Sequence, residues 1–287
     1  MRSLTVADLQ ALDVSSPVPF ELRLGADAWC CERILRVLPG RRVVLQARLL
    51  AEDREPAGYH LLKLFLGSGH SRYRERERRG LSWLAEAGLP VPAVLADLDE
   101  EALSGLLIEY LPGAAVIAPD DQETVEQAAA LLGRMHQAGL WQVDLHLKNF
   151  VSSGSGLFAV DGDGVRRRAN PVPQGRGLED LALLAAQRPP QEDEGAEALL
   201  AAYLANRPGS ASDIRGFSEK IDQARRGRVR RYLRKCFRSC TEFAVTEDQS
   251  YRYFARRGRG ELVRELLSER NAFGSGDKFL DMEAVKT

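Results

Sequence analysis

Between Leu140 and Ser153 runs the stretch LWQVDLHLKNFVSS, which places Asp144, His146, Lys148 and Asn149 within six residues. Twelve residues after Asn149, at the end of the apolar run LFAV, comes Asp161, followed by Gly162 and Asp163. These residue types at this spacing suit the transfer of a phosphoryl group. A polyphosphate is strongly negative, so a lysine must hold it and a divalent cation must neutralise it. A carboxylate must position the attacking hydroxyl, and hard oxygen ligands must hold the cation. Asp144 is the candidate for the hydroxyl. Asn149 offers a neutral amide oxygen to the cation, and Asp161 offers a carboxylate aimed by the end of a buried strand. Asp163 is read as a second metal ligand or as a hydrogen-bond partner. His146 is placed near the terminal phosphate, against the competing reading that it orients the loop. A lone aspartate is ordinarily a turn or cap residue; the combination with Asn149 and Asp161 sets Asp144 apart.

The lysine is found upstream. GYHLLKLFLG reads as a strand with Tyr59, Leu61, Lys63 and Phe65 on one face and His60, Leu62, Leu64 and Leu66 on the other, so Lys63 stands alone in an apolar run. A helix follows, with Ser71 as its expected cap and an end at Gly88 before Pro90. Glu77 shares a stripe with Leu81, Leu84 and Gly88, whereas Glu75 lies on a different face. Glu77 is therefore the expected partner that keeps the Lys63 ammonium charged and directed.

These residues need two kinds of scaffold. RILRVLPGRRVVLQARLL, residues 33–50, reads as two β-rich runs around a turn at Pro39 and Gly40, and SGLLIEYLPG as a buried strand closed by Pro112 and Gly113. From there the pattern becomes helical: DDQETVEQAAALLGRMHQAG carries an apolar face of Val125, Ala128, Leu132 and Met135, and LEDLALLAAQ, EGAEALLAAYLAN and a basic segment follow. The expectation is an α+β chain of two lobes. Residues 1–28 form a lead-in, 29–112 a small β-rich lobe with one helix, 113–270 a larger helical lobe, and 271–287 a tail that can lead into a further module.

The chain of 287 residues has a formal net charge of −1, so overall charge selects no partner. Its charge is uneven: Arg225–Arg238 holds eight basic residues in fourteen. Such a segment is ordinarily a solvated face, and it also suits anionic lipid or a phosphorylated sugar. Only Tyr232 and Phe237 interleave with the arginines, which argues against a nucleic-acid stacking platform. Cys30, Cys31, Cys236 and Cys240 lack zinc-type spacing and are expected to be reduced thiols. The run DGDG lacks the later acidic ligands of a calcium loop. The start shows no secretory pattern and no long apolar run occurs, so the expected place is the cytoplasm.

A strand lysine, a helix glutamate, D-x-x-x-x-N and a following aspartate together resemble the protein-kinase-like superfamily. Within it, FLGSGHSRYRERERRGLSWLAEAGLPVPAVL, LLGRMHQAGLWQVDLHLKNF, FAVDGDGVRRR and RRYLRKCFRSCTEF are similar to the bacterial lipopolysaccharide core kinases of the Kdo and heptose type, over roughly residues 33–245. The resemblance implies a two-lobed kinase fold, ATP and Mg²⁺ as cofactors, and a sugar hydroxyl of the inner-core oligosaccharide as acceptor. It also implies work at the inner face of the inner membrane, and backbone groups of Glu109, Tyr110 and Leu111 that meet the adenine. Gln142 and Val143 stand where a protein kinase has His-Arg, and His146 gives the Asp-Leu-His pattern of small-molecule kinases. No glycine-rich phosphate loop is evident; LPGRR at 38–42 has one glycine, and its arginines and backbone amides are candidates to cover the phosphates. Two other readings stand beside the first: a small-molecule kinase of the aminoglycoside or choline type, and a non-catalytic pseudokinase that binds without transfer.

Overall fold

Apolar strands paired into one large sheet build the first half of the molecule. The computed structural model describes residues 2–50, 58–207, 214–240, 242–247, 252–262 and 265. The chain divides into two compact units, residues 1–224 and residues 225–287. Among the described residues, the first unit opens with a seven-stranded sheet in the order β1-β2-β3-β4-β5-β7-β6. The strands are β1 (Arg2–Leu4), β2 (Phe20–Leu24), β3 (Asp27–Leu38), β4 (Arg42–Leu50), β5 (His60–Leu66), β6 (Val94–Glu100) and β7 (Leu103–Glu109). β1 and β2 run parallel and every other neighbouring pair is antiparallel.

The expected lead-in is thus part of the sheet. Phe20, Leu22 and Leu24 are all buried, and they join Val43, Leu45, Leu62 and Leu64 in one core. A short helix α1 (Val6–Gln10) links β1 to β2 and is fixed by a capping box between Thr5 and Asp8. β6 was not legible either. It is an edge strand whose Asp97, Asp99 and Glu100 interrupt the apolar pattern, as solvent-facing edges commonly do.

Helix α2 (His70–Glu86) covers the sheet. Its cap is Gly69 in the left-handed region (φ 84°), so Ser71 lies inside the first turn and does not cap the helix. The buried stripe is Glu77, Gly80, Leu81 and Leu84, with Leu81 packed on Leu106 and Ile108 of β7.

The second half of this unit is mainly helical. Helix α3 (Gln122–Gln137) is capped by Asp121 and buries Val125, Ala128, Leu132 and Met135 against α4 (Gln174–Ala185) and α5 (Ala196–Leu204). Between α3 and α4 lie short antiparallel ladders. β10 (Phe150–Ser153) pairs with β11 (Gly156–Ala159) and with β8 (Ala115–Val116), and β9 (Leu140–Gln142) pairs with β12 (Val165–Arg167). His136 lies inside this core, with its Nδ1 2.9 Å from the Tyr203 hydroxyl. The result is a curled sheet and a helical lobe in the arrangement of a two-lobed kinase-like fold.

Helix α6 (Ile214–Cys236) runs from the first unit into the second, where β13 (Phe243–Glu247) and β14 (Arg252–Arg256) form a hairpin. In the second unit Val229, Leu233 and Phe237 are exposed at 58%, 50% and 62% and recur every fourth residue. Arg226, Arg230, Arg234 and Arg238 recur every fourth residue in a neighbouring row. None of the four cysteines is in a disulfide. No helix among the described residues is long and apolar enough to cross a membrane.

Candidate active site

Lys63 sits in the middle of β5, in register with Val44 of β4 and Leu106 of β7. Its ammonium is 2.6 Å from Glu77 Oε1 and 3.6 Å from Asp161 Oδ1. Glu77 is 1% exposed and its carboxylate is fully engaged. Oε1 also accepts the Gly162 N–H at 2.9 Å, and Oε2 accepts the Asp163 N–H at 3.2 Å. A buried carboxylate is tolerated when it is paired and hydrogen-bonded in this way. Glu75 is engaged elsewhere, in an exposed pair with Arg78 at 3.1 Å.

A feature that sequence reasoning missed permits this contact. Gly80 and Gly162 let helix and loop backbones touch. A Cβ on Gly80 would lie 2.0 Å from the Gly162 carbonyl oxygen, and one on Gly162 would lie 2.2 Å from the Glu77 carbonyl oxygen. Glycine in a helix interior costs stability relative to alanine, and here close approach demands it. Asp161, just before this contact, has φ 103°, a strained value for a residue with a side chain.

Gln142 also escapes sequence reasoning, which marks it only as a departure from the His-Arg of protein kinases. It is 2% exposed and holds both candidate metal residues. Its Nε2 donates to the Asp161 carbonyl at 3.1 Å, and its Oε1 accepts from Asn149 Nδ2 at 2.9 Å. Asn149 Nδ2 donates in addition to the Asp144 carbonyl at 2.9 Å. Both amide hydrogens of Asn149 are thereby used, and Oδ1 is the atom left for a cation. The loop is held further by Val160 N–H on the Asn149 carbonyl at 2.7 Å and by Lys148 N–H on His146 Nδ1 at 3.2 Å. A buried glutamine is a readable signal: it sits in an otherwise apolar β9 two residues before Asp144.

Two adjoining clefts meet at these groups. One, of about 400 Å³, is lined by Val44, Leu61, Lys63, Ile108, Tyr110, Leu111, Val151 and Asp161, among others. The second, of about 380 Å³, is lined by Asp144, His146, Lys148, Asn149, Asp161 and Asp163, with Arg36 and Arg42 on both. Tyr110 and Leu111 face the first cleft. Glu109 does not: its carboxylate accepts the Ala93 N–H at 3.0 Å and its own N–H donates to the Ala93 carbonyl at 2.9 Å. Asp163 is turned partly toward α2, with Oδ1 2.9 Å from Arg76 Nε.

Burial works to raise the Asp161 carboxyl, but the charges of Lys63, Arg42 and Arg36 outweigh it and hold the group below the usual carboxylate range. Asp161 Oδ1 is buried and has no hydrogen-bond donor. An ionised carboxylate oxygen without a hydrogen-bond donor, on the same cleft as a free amide oxygen, is a donor set that fits Mg²⁺. Among the described residues no three His, Cys, Asp or Glu side chains form a metal cage by themselves. A cation here would complete its shell from phosphate and water, as Mg²⁺ commonly does.

Comparison with known proteins agrees with this chemistry. Residues 48–216 match the model of the phosphotransferase enzyme family. Two archaeal proteins are each 30% identical to part of the chain. One, from Methanosarcina acetivorans, aligns over 45% of this chain, and the other, from Methanosarcina mazei, over 40%. Each is described as a probable bifunctional tRNA threonylcarbamoyladenosine biosynthesis protein. The matches span about a quarter and a fifth of those relatives' own length, at 25% and 20%.

Proposed function

The chain belongs to the phosphotransferase enzyme family, and from that premise we propose that it moves a phosphoryl group from ATP to a sugar hydroxyl, of heptose or Kdo, on the lipopolysaccharide inner core. The observation that carries the phosphotransfer reading is the convergence of Lys63, Glu77 and Asp161 within ion-pair distance beside the loop of Asp144 and Asn149. Lys63 holds the inner phosphates, and Glu77 fixes its direction. Asn149 Oδ1 and the Asp161 carboxylate would hold Mg²⁺, with Asp163 as a further oxygen, and the ion would supply charge neutralisation at the phosphates. Asp144 accepts the hydrogen bond of the attacking hydroxyl and orients it. His146 and Lys148 border the same cleft from the loop. Positioning and charge neutralisation supply most of the rate.

The acceptor is the finer step. Its support is the likeness of the Asp144 loop to the lipopolysaccharide core kinases and the rows of Val229, Leu233, Phe237 and of Arg226, Arg230, Arg234, Arg238. An apolar row beside a cationic row suits a helix that lies on an anionic bilayer surface, where a lipid-linked core would be found. Mass spectrometry of core oligosaccharide from cells with and without the protein is expected to reveal one missing phosphate. Purified Asp144→Ala is expected to lose transfer by about 10²–10⁴-fold with its melting temperature retained. An unchanged core rules out the acceptor, and normal turnover by Asp144→Ala rules out the mechanism.

A second reading follows from the archaeal relatives, whose descriptions name tRNA threonylcarbamoyladenosine biosynthesis: a phosphotransferase that serves tRNA modification. ATP turnover that requires added tRNA, with core oligosaccharide unlabelled, would favour it. Labelling of a soluble aminoglycoside or choline alone would favour the small-molecule alternative. Nucleotide binding indifferent to Mg²⁺, without transfer to any acceptor, would mark a pseudokinase.

A further inference from the structure

The turn between β3 and β4 is where a phosphate-covering loop belongs, yet it holds a single glycine, Gly40. Three arginines of this hairpin, Arg33, Arg36 and Arg42, face the cleft. Simple alternation along β3 would set Arg33, Leu35 and Val37 on one face and Ile34 and Arg36 on the other. An irregularity in the ladder between Ile34 and Arg36 breaks that phase. Arg33, Leu35 and Arg36 all line the cleft, whereas Ile34 and Val37 pack against the sheet core. Bulges re-aim side chains in this way, and they gather beside active sites. The partner strand agrees. Arg36 lies opposite Val44, which faces the cleft, and Arg42, two residues before Val44, faces it as well.

Arg36 and Arg42 are therefore like charges in diagonal positions on one sheet face, an arrangement that disfavours the fold unless an anion lies against them. Among the described residues neither guanidinium has an ion pair or a hydrogen bond, and Arg42 Nε is buried without a partner. The hairpin that carries them is anchored. Leu66 N–H donates to the Arg41 carbonyl at 2.8 Å, and the Arg41 guanidinium, turned away from the cleft, donates to the Tyr73 hydroxyl at 3.0 Å.

We propose that Arg36 and Arg42 form a two-arginine clamp on the polyphosphate of the bound nucleotide, in place of the backbone amides of a glycine-rich loop. The proposal rests on the reading of the first cleft as the nucleotide site. Guanidinium forks bind phosphate oxygens in pairs and keep their charge at every physiological pH. The nucleotide is the favoured source of that phosphate, because Lys63, Tyr110 and Leu111 line the same cleft.

The test is calorimetric titration of adenosine, ADP and a non-hydrolysable ATP analogue, with Mg²⁺, into the full chain and into Arg36→Gln, Arg42→Gln and Arg41→Gln. Arg36→Gln and Arg42→Gln are each expected to weaken ADP and the analogue by about tenfold or more and to leave adenosine unchanged; Arg41→Gln changes neither. If a glutamine variant melts early, the Arg→Lys variant at that position replaces it, with a smaller loss of the same kind. Wild-type ADP affinity in both cleft variants, with adenosine still bound, overturns the clamp and leaves the nucleotide cleft standing. A raised acceptor KM with unchanged nucleotide affinity also overturns it, by assigning the arginines to the acceptor. Failure of the unaltered chain to bind adenosine or either nucleotide overturns the cleft reading and the clamp together.

Discussion

Replacing Glu77 with glutamine alters one atom and should have a large effect. The carboxylate accepts from three donors on two oxygens: the Lys63 ammonium at 2.6 Å and the Gly162 N–H at 2.9 Å on one, and the Asp163 N–H at 3.2 Å on the other. A glutamine amide has one acceptor oxygen, so in either orientation its NH₂ group meets a donor that it cannot satisfy. Lys63, 12% exposed, loses its principal counter-charge in the same step. Removing one partner of a buried pair costs about 3–5 kcal/mol, and the orphaned amide falls within that figure, because the donors share one acceptor group. Glu77→Gln is therefore expected to lose about 3–5 kcal/mol, read as a lower urea midpoint at unchanged slope. Glu75→Gln, which disturbs only an exposed pair, is expected to stay within about 0.5 kcal/mol of the unaltered protein. Lys63→Met combined with Glu77→Gln should cost about 0.5–3 kcal/mol less than the sum of the single changes, since each single change strands the other group. A Glu77→Gln midpoint indistinguishable from that of Glu75→Gln would refute the claim that this carboxylate joins strand, helix and loop.

Three further outcomes follow from the geometry. Gly80→Ala places a methyl group 2.0 Å from the Gly162 carbonyl, so a thermal melt should show strong destabilisation together with loss of phosphotransfer; a near-normal melt would mean that helix and loop can part. Gln142→Leu strands the Asn149 amide and the Asp161 carbonyl in a buried position, and it should cost about 1–3 kcal/mol of stability and depress kcat more than acceptor KM in steady-state assays. Burial pushes the Asp180 carboxyl up to about 6 from 3.8, against the pull of Arg176. A raised carboxyl contributes stability that is complete below its unfolded value and is lost as pH rises through its folded value. In urea series across pH, Asp180→Asn should therefore gain on the unaltered protein by up to about 3 kcal/mol between pH 3.8 and about 6 and no further above that; a constant difference would contradict the shift.

The pairing of Lys63 with Glu77 was legible because both lie on regular elements. Period-two alternation exposes a lone lysine in β5, and a helical stripe separates Glu77 from Glu75. The loop from Asp144 to Asn149 was legible as a spacing of polar residues between apolar runs. What escaped depends on irregularity or on distance along the chain. Arg36 reaches the cleft face through a break in strand phase, which no alternating pattern announces. Gly80 and Gly162 lie far apart in sequence, and their contact exists only once helix and loop have docked. β2 alternates plainly as Phe-Glu-Leu-Arg-Leu, but the turn residues just before it, among them Ser15, Pro17 and Pro19, led to a lead-in reading. The cap at Gly69 instead of Ser71 shows a left-handed glycine taking the place of a side-chain oxygen.

The contact between α2 and the Asp161–Asp163 loop bears on how such a molecule is governed. Rotating that helix outward, the off-position through which many protein kinases are regulated, would strand one carboxylate, one ammonium and two peptide N–H groups at once. These contacts accordingly tie α2 to the Asp161–Asp163 loop and oppose such a rotation. Slow hydrogen exchange at the Gly162 and Asp163 amides, matching the interior of α2 with or without nucleotide, is the signature that such a fixed architecture would leave.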